Sequence, residues 1–250
     1  KLTKRTKAVM FVGIGGNTKN LNAIKNICRE NGLMFILDAS HMAGSRINGV
    51  HVGEDCDLSI FSFQAVKNLP TGDSGMICFR DPALDKKVRE LAWLGITKDT
   101  FSRSSEGSYK WDYSVNSVGM KYHGNSVIAS LGIVALNYLE ADNIYRRKLA
   151  NLYEEGLGVN FEIIKHEPES ARHLFQISVE DRESYISELA SKNIFTGVHY
   201  KKNTAYSVYE PENLPLTDFY SDRVLSLPMH LHVTEDEVKV ITEILNSYKN

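Results

Sequence analysis

Four short apolar runs, Ala8 to Val12, Leu33 to Leu37, Leu58 to Phe63 and Met76 to Phe79, constrain the fold of this chain more than any other feature. Each has the length and the branched or aromatic content of a buried strand. Between the first two, Asn17 to Glu30 places Leu21, Ile24, Ile27 and Cys28 on one helical face behind a capping Asn17. Strand, helix, strand predicts parallel pairing, because parallel neighbours need a crossover connection. Parallel strands are covered on both faces, which explains runs that are nearly continuous in apolar residues. The fold class read from this pattern is α/β with a mostly parallel sheet.

The chain changes texture after the fourth run. Phe101 to Trp111 is rich in Ser and Gly and reads as a loop. Asn125 to Leu139 carries Val127, Ile128, Leu131, Val134, Ala135, Tyr138 and Leu139 at helical spacing, and with the charged stretch Glu140 to Lys148 it predicts one long helix. From about Gly158 the units shorten to a strand at Leu174 to Val179, a helix at Arg182 to Lys192 and a strand at Phe195 to Tyr200. Thr234 and Glu237 form a capping box for a last helix whose apolar face is Val238, Ile241, Ile244 and Leu245. These elements predict a sheet domain over 1–140 and a small α+β domain over 141–250.

Composition narrows the partners. Charged residues make up 24% and the net charge is -2, so no electrostatic feature points to nucleic acid or to an anionic membrane. Cys28, Cys56 and Cys78 contain no CxxC pair and leave one thiol unmatched, which suits a reducing compartment such as the cytoplasm. No apolar run reaches the length of a membrane span, and the basic start, Lys1 to Lys7, lacks the apolar stretch of a signal peptide. The expected ligand is a small molecule.

Two places carry chemistry. Asp38 ends a predicted buried strand, at the carboxyl edge of a parallel sheet, where ligands bind in open α/β folds. A carboxylate there can cap a following helix, or it can stabilise a cation such as a protonated pyridine nitrogen. Lys67 lies just past the third strand, in Ser62-Phe63-Gln64-Ala65-Val66-Lys67-Asn68-Leu69-Pro70-Thr71-Gly72. It is either an ordinary surface lysine or a desolvated amine able to attack an aldehyde and form an imine. Ser62, five residues earlier, offers a hydroxyl for a phosphate.

The runs Leu37-Asp38-Ala39-Ser40-His41, Phe61-Ser62-Phe63 through Lys67 to Gly75, and Gly119-Met120-Lys121-Tyr122-His123 resemble the DegT/StrS family of sugar aminotransferases. Thr196-Gly197-Val198-His199-Tyr200 and Leu225-Ser226-Leu227-Pro228-Met229-His230 extend the likeness in the expected order over essentially the whole chain. The resemblance implies the fold type I architecture of pyridoxal phosphate (PLP) enzymes, with 1–140 as part of the PLP-binding large domain. It implies Lys67 as the Schiff-base lysine, Asp38 as partner of the pyridine nitrogen, and His41 as the residue that meets the phenolic oxygen. Ser62 then matches the phosphate-binding serine, and His123 stands where the family has a side chain that reaches the phosphate of the neighbouring subunit. The implied activity is transfer of an amino group from glutamate to a keto sugar nucleotide, in polysaccharide biosynthesis, by a cytoplasmic homodimer with a shared active site.

The chain also departs from the pattern. Gln64 stands where many relatives have His, and Gly124 and Ser126 where Met and an acidic residue are common. The family's N-terminal segment, with a phosphate-binding turn and a ring-stacking aromatic residue, is not visible before Ala8. Gly13-Ile14-Gly15-Gly16 lacks the third glycine of a dinucleotide fingerprint and reads as a loop. The chain is thus expected to be either a fragment of a longer enzyme or a shortened relative. Three other functions stay open: a catalytically silent partner subunit, an aminotransferase acting on a cyclitol or aminoglycoside precursor, and a sugar dehydratase using pyridoxamine phosphate. Lys67 argues against the last, whose members resemble this family with His at that position. His199 and Tyr200 line the substrate pocket by resemblance, or simply end a strand. His230 and His232 lack a third ligand spaced to join them and read as a turn, so no metal is expected. Tyr109, Trp111 and Tyr113 alternate with polar residues as an edge strand or a subunit contact would.

Overall fold

The computed structural model describes residues 1–97 and 113–248. The loop read at Phe101 to Trp111, with Tyr109 and Trp111, lies outside the described residues. The strands are β1 Ala8–Val12, β2 Met34–Asp38, β3 Arg46–Ile47, β4 Val50–His51, β5 Leu58–Ser62, β6 Gly75–Phe79, β7 Glu162–Ile163, β8 Phe175–Ser178 and β9 Val224–Leu227. The helices are α1 Leu21–Glu30, α2 Pro82–Ala92, α3 Ser126–Leu136, α4 Leu139–Gly156, α5 Arg182–Ser191, α6 Pro215–Arg223 and α7 Glu235–Ser247. They form two compact units, one of Lys1–Val12, Asn20–Ser40 and Val52–Asn137, the other of Gly13–Lys19, His41–His51 and Tyr138–Asn250.

The first unit is built on a sheet of order β1-β2-β5-β6. The β1–β2 and β2–β5 pairs are parallel, as crossover connections require, whereas β6 returns antiparallel to β5. The reason lies in the connection: Phe63 to Ser74 contains no helix, and Phe63 N–H donates to Ser74 O at 2.8 Å, closing a hairpin-like neck that reverses the chain. Phe35 and Leu37 of β2 are buried, with Leu21 and Cys28 of α1. The edge strands depart from the expected burial on both faces, since Met10 and Val12 of β1 and Met76 of β6 stay exposed.

Two helix boundaries differ from the periodicity. Helix α1 begins at Leu21 because the Asn17 side chain is engaged elsewhere: its Oδ1 accepts from Lys19 N–H and its amide donates to Lys165 O. The long helix read from Asn125 onward is two helices. Asn137 N–H turns back to Val134 O at 3.1 Å, closing a tight last turn on α3, and Glu140 and Asp142 open a new first turn where the helix dipole favours acids. Helix α3 buries none of its residues in this chain, and Val127, Leu131, Ile133, Val134 and Leu136 are exposed. Among the described residues no single helix is long and apolar enough to cross a membrane.

The second unit packs the antiparallel sheet β7-β8-β9 against helices. Phe175, Ile177, Leu225 and Leu227 meet Leu149, Ala150 and Tyr153 of α4, Leu189 of α5, and Val238, Ile241 and Leu245 of α7 in one core. Tyr153 stacks on Phe175 at 4.8 Å and donates its hydroxyl to Pro228 O at 3.0 Å, so its polar end is satisfied inside the core. Asn48 and Gly49, with φ of 53° and 78°, make the β3–β4 turn, the Asn-Gly pairing that a two-residue hairpin with positive φ prefers. The strand read at Phe195 to Tyr200 reduces to one bridge between Gly197 and Ser226. The ladder stops because His199 O is taken by the Gln176 side chain at 2.9 Å. All three cysteines are free thiols.

The capping box reads as the sequence predicts: Thr234 Oγ1 accepts from Glu237 N–H and the Glu237 carboxylate accepts from Thr234 N–H. Thr234→Ala is therefore expected to cost about 1 kcal/mol, measured by urea denaturation. Burial, with the nearby Arg172 cation, pushes His166 from 6.5 down to about 3. Between these values the unfolded chain binds a proton that the folded one refuses, so stability falls as pH drops through that window. His166→Asn should flatten this part of a melting-temperature profile against pH.

Candidate active site

Strands β2 and β5 run side by side with Asp38 opposite Ile60, so Asp38 and Ser62, the last residues of their strands, finish on the same carboxyl edge of the sheet. Asp38 Oδ1 accepts both from Ser40 N–H at 3.0 Å and from Ser40 Oγ at 2.6 Å. This is a turn closed by the side chain, and no helix starts there for Asp38 to cap. Oδ2 accepts no hydrogen bond among the described residues and leaves a carboxylate oxygen for a cation.

Lys67 sits in the loop that leaves β5, and a tertiary clamp fixes that loop. Thr71 N–H and Oγ1 both donate to Phe63 O, at 2.8 and 3.1 Å, and the Thr71 and Ser74 hydroxyls meet at 2.6 Å. Lys67 N–H closes a turn on Gln64 O at 2.9 Å, and Asn68, Leu69 and Thr71 are buried beside it. Gly72 has a φ of 98°, which a side chain would strain. Desolvation lowers the pKa of the Lys67 amine, and the Asp38 carboxylate opposes that shift. The two groups therefore share one electrostatic environment. A lysine with lowered pKa holds more neutral amine near pH 7, the form that attacks a carbonyl.

The other predicted residues are placed as follows. The Ser62 hydroxyl accepts from Gln64 N–H at 3.4 Å, leaving its own proton to donate. His123 is exposed and sets its ring edge-on against Trp93 at 4.0 Å. Among the described residues no hydrogen bond or ion pair joins it to Asp38, Ser62 or Lys67. His41 belongs to the second unit, is buried, and accepts from Gly15 N–H on Nδ1 at 3.1 Å, while its Nε2 lies 3.3 Å from Tyr200 Oη. His199 Nδ1 lies 2.9 Å from Ser226 Oγ. His230 and His232 lie in a turn with ring centroids 6.2 Å apart, and no group of three His, Cys, Asp or Glu that could hold a metal exists among the described residues.

A carboxylate, a desolvated amine and a hydroxyl on one sheet edge are a donor set that fits PLP, whose pyridinium, aldehyde and phosphate need those three groups. Sequence reasoning missed Ser40, Thr71 and Ser74. The only signal for them was hydroxyl residues within a few positions of Asp38 and Lys67.

A model of the DegT/DnrJ/EryC1/StrS aminotransferase family matches residues 1–246. Among similar curated proteins is the dTDP-4-dehydro-2,3,6-trideoxy-D-glucose 4-aminotransferase of Saccharopolyspora spinosa, 31% identical over 97% of this chain and 65% of its own length. An uncharacterized protein of Methanocaldococcus jannaschii is also 31% identical, over 99% of this chain and 67% of its own. The crystal structure of the aminotransferase TlmJ from Streptoalloteichus hindustanus matches with a TM-score of 0.88 and 28% identity, covering 99% of this chain and 67% of that one. The chain thus spans about two thirds of the length of these relatives.

Because Asp38 raises the Lys67 pKa, Asp38→Asn should lower it further. Competitive acylation followed by mass spectrometry should show Lys67 reacting at a lower pH in that variant. A midpoint that stays put or rises would show that the two charges do not interact.

Proposed function

Because the chain belongs to the DegT/DnrJ/EryC1/StrS aminotransferase family, with the type I fold of PLP-dependent sugar aminotransferases, we propose that it moves an amino group from glutamate to a keto sugar nucleotide. The observation that carries this reading is the desolvated Lys67 amine beside the Asp38 carboxylate on the carboxyl edge of a parallel sheet.

Bound PLP supplies an aldehyde that accepts nitrogen and a ring that acts as an electron sink. Asp38, oriented by Ser40, would pair through Oδ2 with the pyridine nitrogen and keep it protonated. Lys67 Nζ would hold the aldehyde at rest and, once displaced, take the proton from Cα of the amino donor. The Thr71 clamp keeps that nitrogen on a fixed loop, so the proton transfer needs little reorganisation. The Ser62 hydroxyl would donate to the phosphate. Family resemblance adds His41 at the phenolic oxygen and His123 at the phosphate of a neighbouring subunit, and 1–140 and 141–250 as the large and small domains.

The substrate class is supported by the similar Saccharopolyspora spinosa protein, which is named for a dTDP-keto sugar. A homodimer is supported by α3, since a helix apolar on every side is ordinarily covered. Three free thiols suit the cytoplasm.

Borohydride reduction after addition of PLP should attach the cofactor to Lys67 and to no other lysine, as read by peptide mass. Lys67→Ala should abolish transamination, a fall of at least about a thousandfold for loss of the nucleophile and base together, while non-covalent PLP binding persists. Absence of the Lys67 adduct would favour a catalytically silent subunit.

A further inference from the structure

The chain contains two Asn-Gly bonds, Asn31-Gly32 and Asn48-Gly49. In such a pair the Gly nitrogen can attack the carbonyl carbon of the Asn side chain, because glycine has no side chain to block the approach. The nitrogen gives up its proton, a new C–N bond closes a cyclic succinimide, and the carboxamide nitrogen takes up a proton and departs as ammonia. Water then opens the ring to Asp or isoaspartate. Three conditions govern the rate: a carboxamide free to swing, room beside the Gly residue, and an N–H able to lose its proton.

The structure treats the two bonds differently. At the end of α1 the Asn31 carboxamide donates to Ile27 O at 2.8 Å, and Gly32 N–H turns back to Arg29 O at 3.3 Å. The reacting group there is tied to the helix. Asn48 is exposed at the tip of the β3–β4 hairpin, and among the described residues its carboxamide makes no hydrogen bond. A Cβ at Gly49 would meet nothing within 4 Å, so this turn also has room. Two of the three conditions are met.

Glu169 withholds the third. Both of its carboxylate oxygens accept from Gly49 N–H, at 3.0 and 3.2 Å. Its backbone fixes it under the hairpin, because Arg46 N–H donates to Glu169 O at 3.0 Å. The Arg46 guanidinium donates to Gly49 O, also at 3.0 Å, and among the described residues the Glu169 carboxylate forms no ion pair. A hydrogen bond to a carboxylate stabilises the protonated nitrogen, and the adjacent negative charge opposes a second one on that nitrogen. Hairpin and guard both belong to the second unit.

We propose that Asn48 is a site of spontaneous deamidation through a succinimide, and that Glu169 guards it by holding the proton on Gly49 while the second unit is folded. Loss of the contact opens a one-way change from a neutral carboxamide to a carboxylate. A carboxylate acting here as a base would have the opposite effect, so the sign of the rate change separates the two roles.

The test is incubation of the purified chain at mildly alkaline pH, with peptide mass following the exchange of NH2 for OH at Asn48 and Asn31. In Glu169→Gln, which keeps an acceptor but removes the charge, Asn48 should convert about tenfold faster, the factor for loss of one hydrogen bond to a charged group. Asn31 should be unchanged. Thr234→Ala, which weakens the second unit through the α7 cap, should leave both rates as they are. An unchanged Asn48 rate in Glu169→Gln overturns the proposal, and so does a slower one, which would mark Glu169 as a base. Equal acceleration at Asn31, or at Asn48 in Thr234→Ala, also overturns it, since unfolding is then the cause. The wild-type chain supplies a check that needs no variant: Asn48 should convert at least about tenfold faster in denaturing urea than in buffer, and equal rates overturn the proposal.

Discussion

Strand β2 is the constraint from which the candidate site follows. It is hydrogen-bonded on both sides by parallel neighbours, with Val12 and Ile60 in register with Asp38. Phe35 N–H also donates to the Asp57 carboxylate at 2.8 Å, and Phe35 and Leu37 are buried. A strand held this way cannot slip, because a one-residue shift would turn Leu37 outward and carry Asp38 to the wrong face. The position of the carboxylate is therefore a property of the sheet.

The lysine depends on the same sheet at one remove. Strand β5 ends at Ser62, and the loop that follows would be free were it not tied back through Phe63 to Thr71 and Ser74. A surface lysine on a mobile loop keeps its hydration and an ordinary pKa. Lys67 loses hydration because buried Asn68, Leu69 and Thr71 pin its loop against the unit, and Asp38 partly offsets that loss. Burial and counter-charge act in opposite directions, and burial wins.

The second unit handles polar groups by a different rule. Its sheet and helices make a core of aliphatic and aromatic side chains, but the Gly13 to Lys19 and His41 to His51 segments bring polar atoms into the interior. Ser45, Ser170 and Asn143 are fully buried, and each bonds a backbone carbonyl, Gly16 O for the two serines and Ala43 O for Asn143. Such groups are costly unless paired, so once paired they favour one arrangement of the loop over all others.

By itself the sequence determined the strand at Asp38, the carboxylate and amine at successive strand ends, and the capping box at Thr234, since each depends on residues near one another in the chain. The family likeness of Asp38-Ala39-Ser40-His41 and Lys67 to Gly75 was legible for the same reason. What the sequence did not reveal depends on distant partners. Asn17 is drawn away from α1 by Lys165, the strand at Phe195 is cut short by Gln176, and an apparent long helix breaks at Asn137 despite unbroken apolar spacing. The Gly13 to Gly16 run read as a plain loop because the Gly15 N–H meets its partner, the His41 ring, 26 positions away. Periodicity records which face of an element is apolar. Only tertiary structure decides which backbone donor meets which side chain, because that pairing is set by packing across the chain.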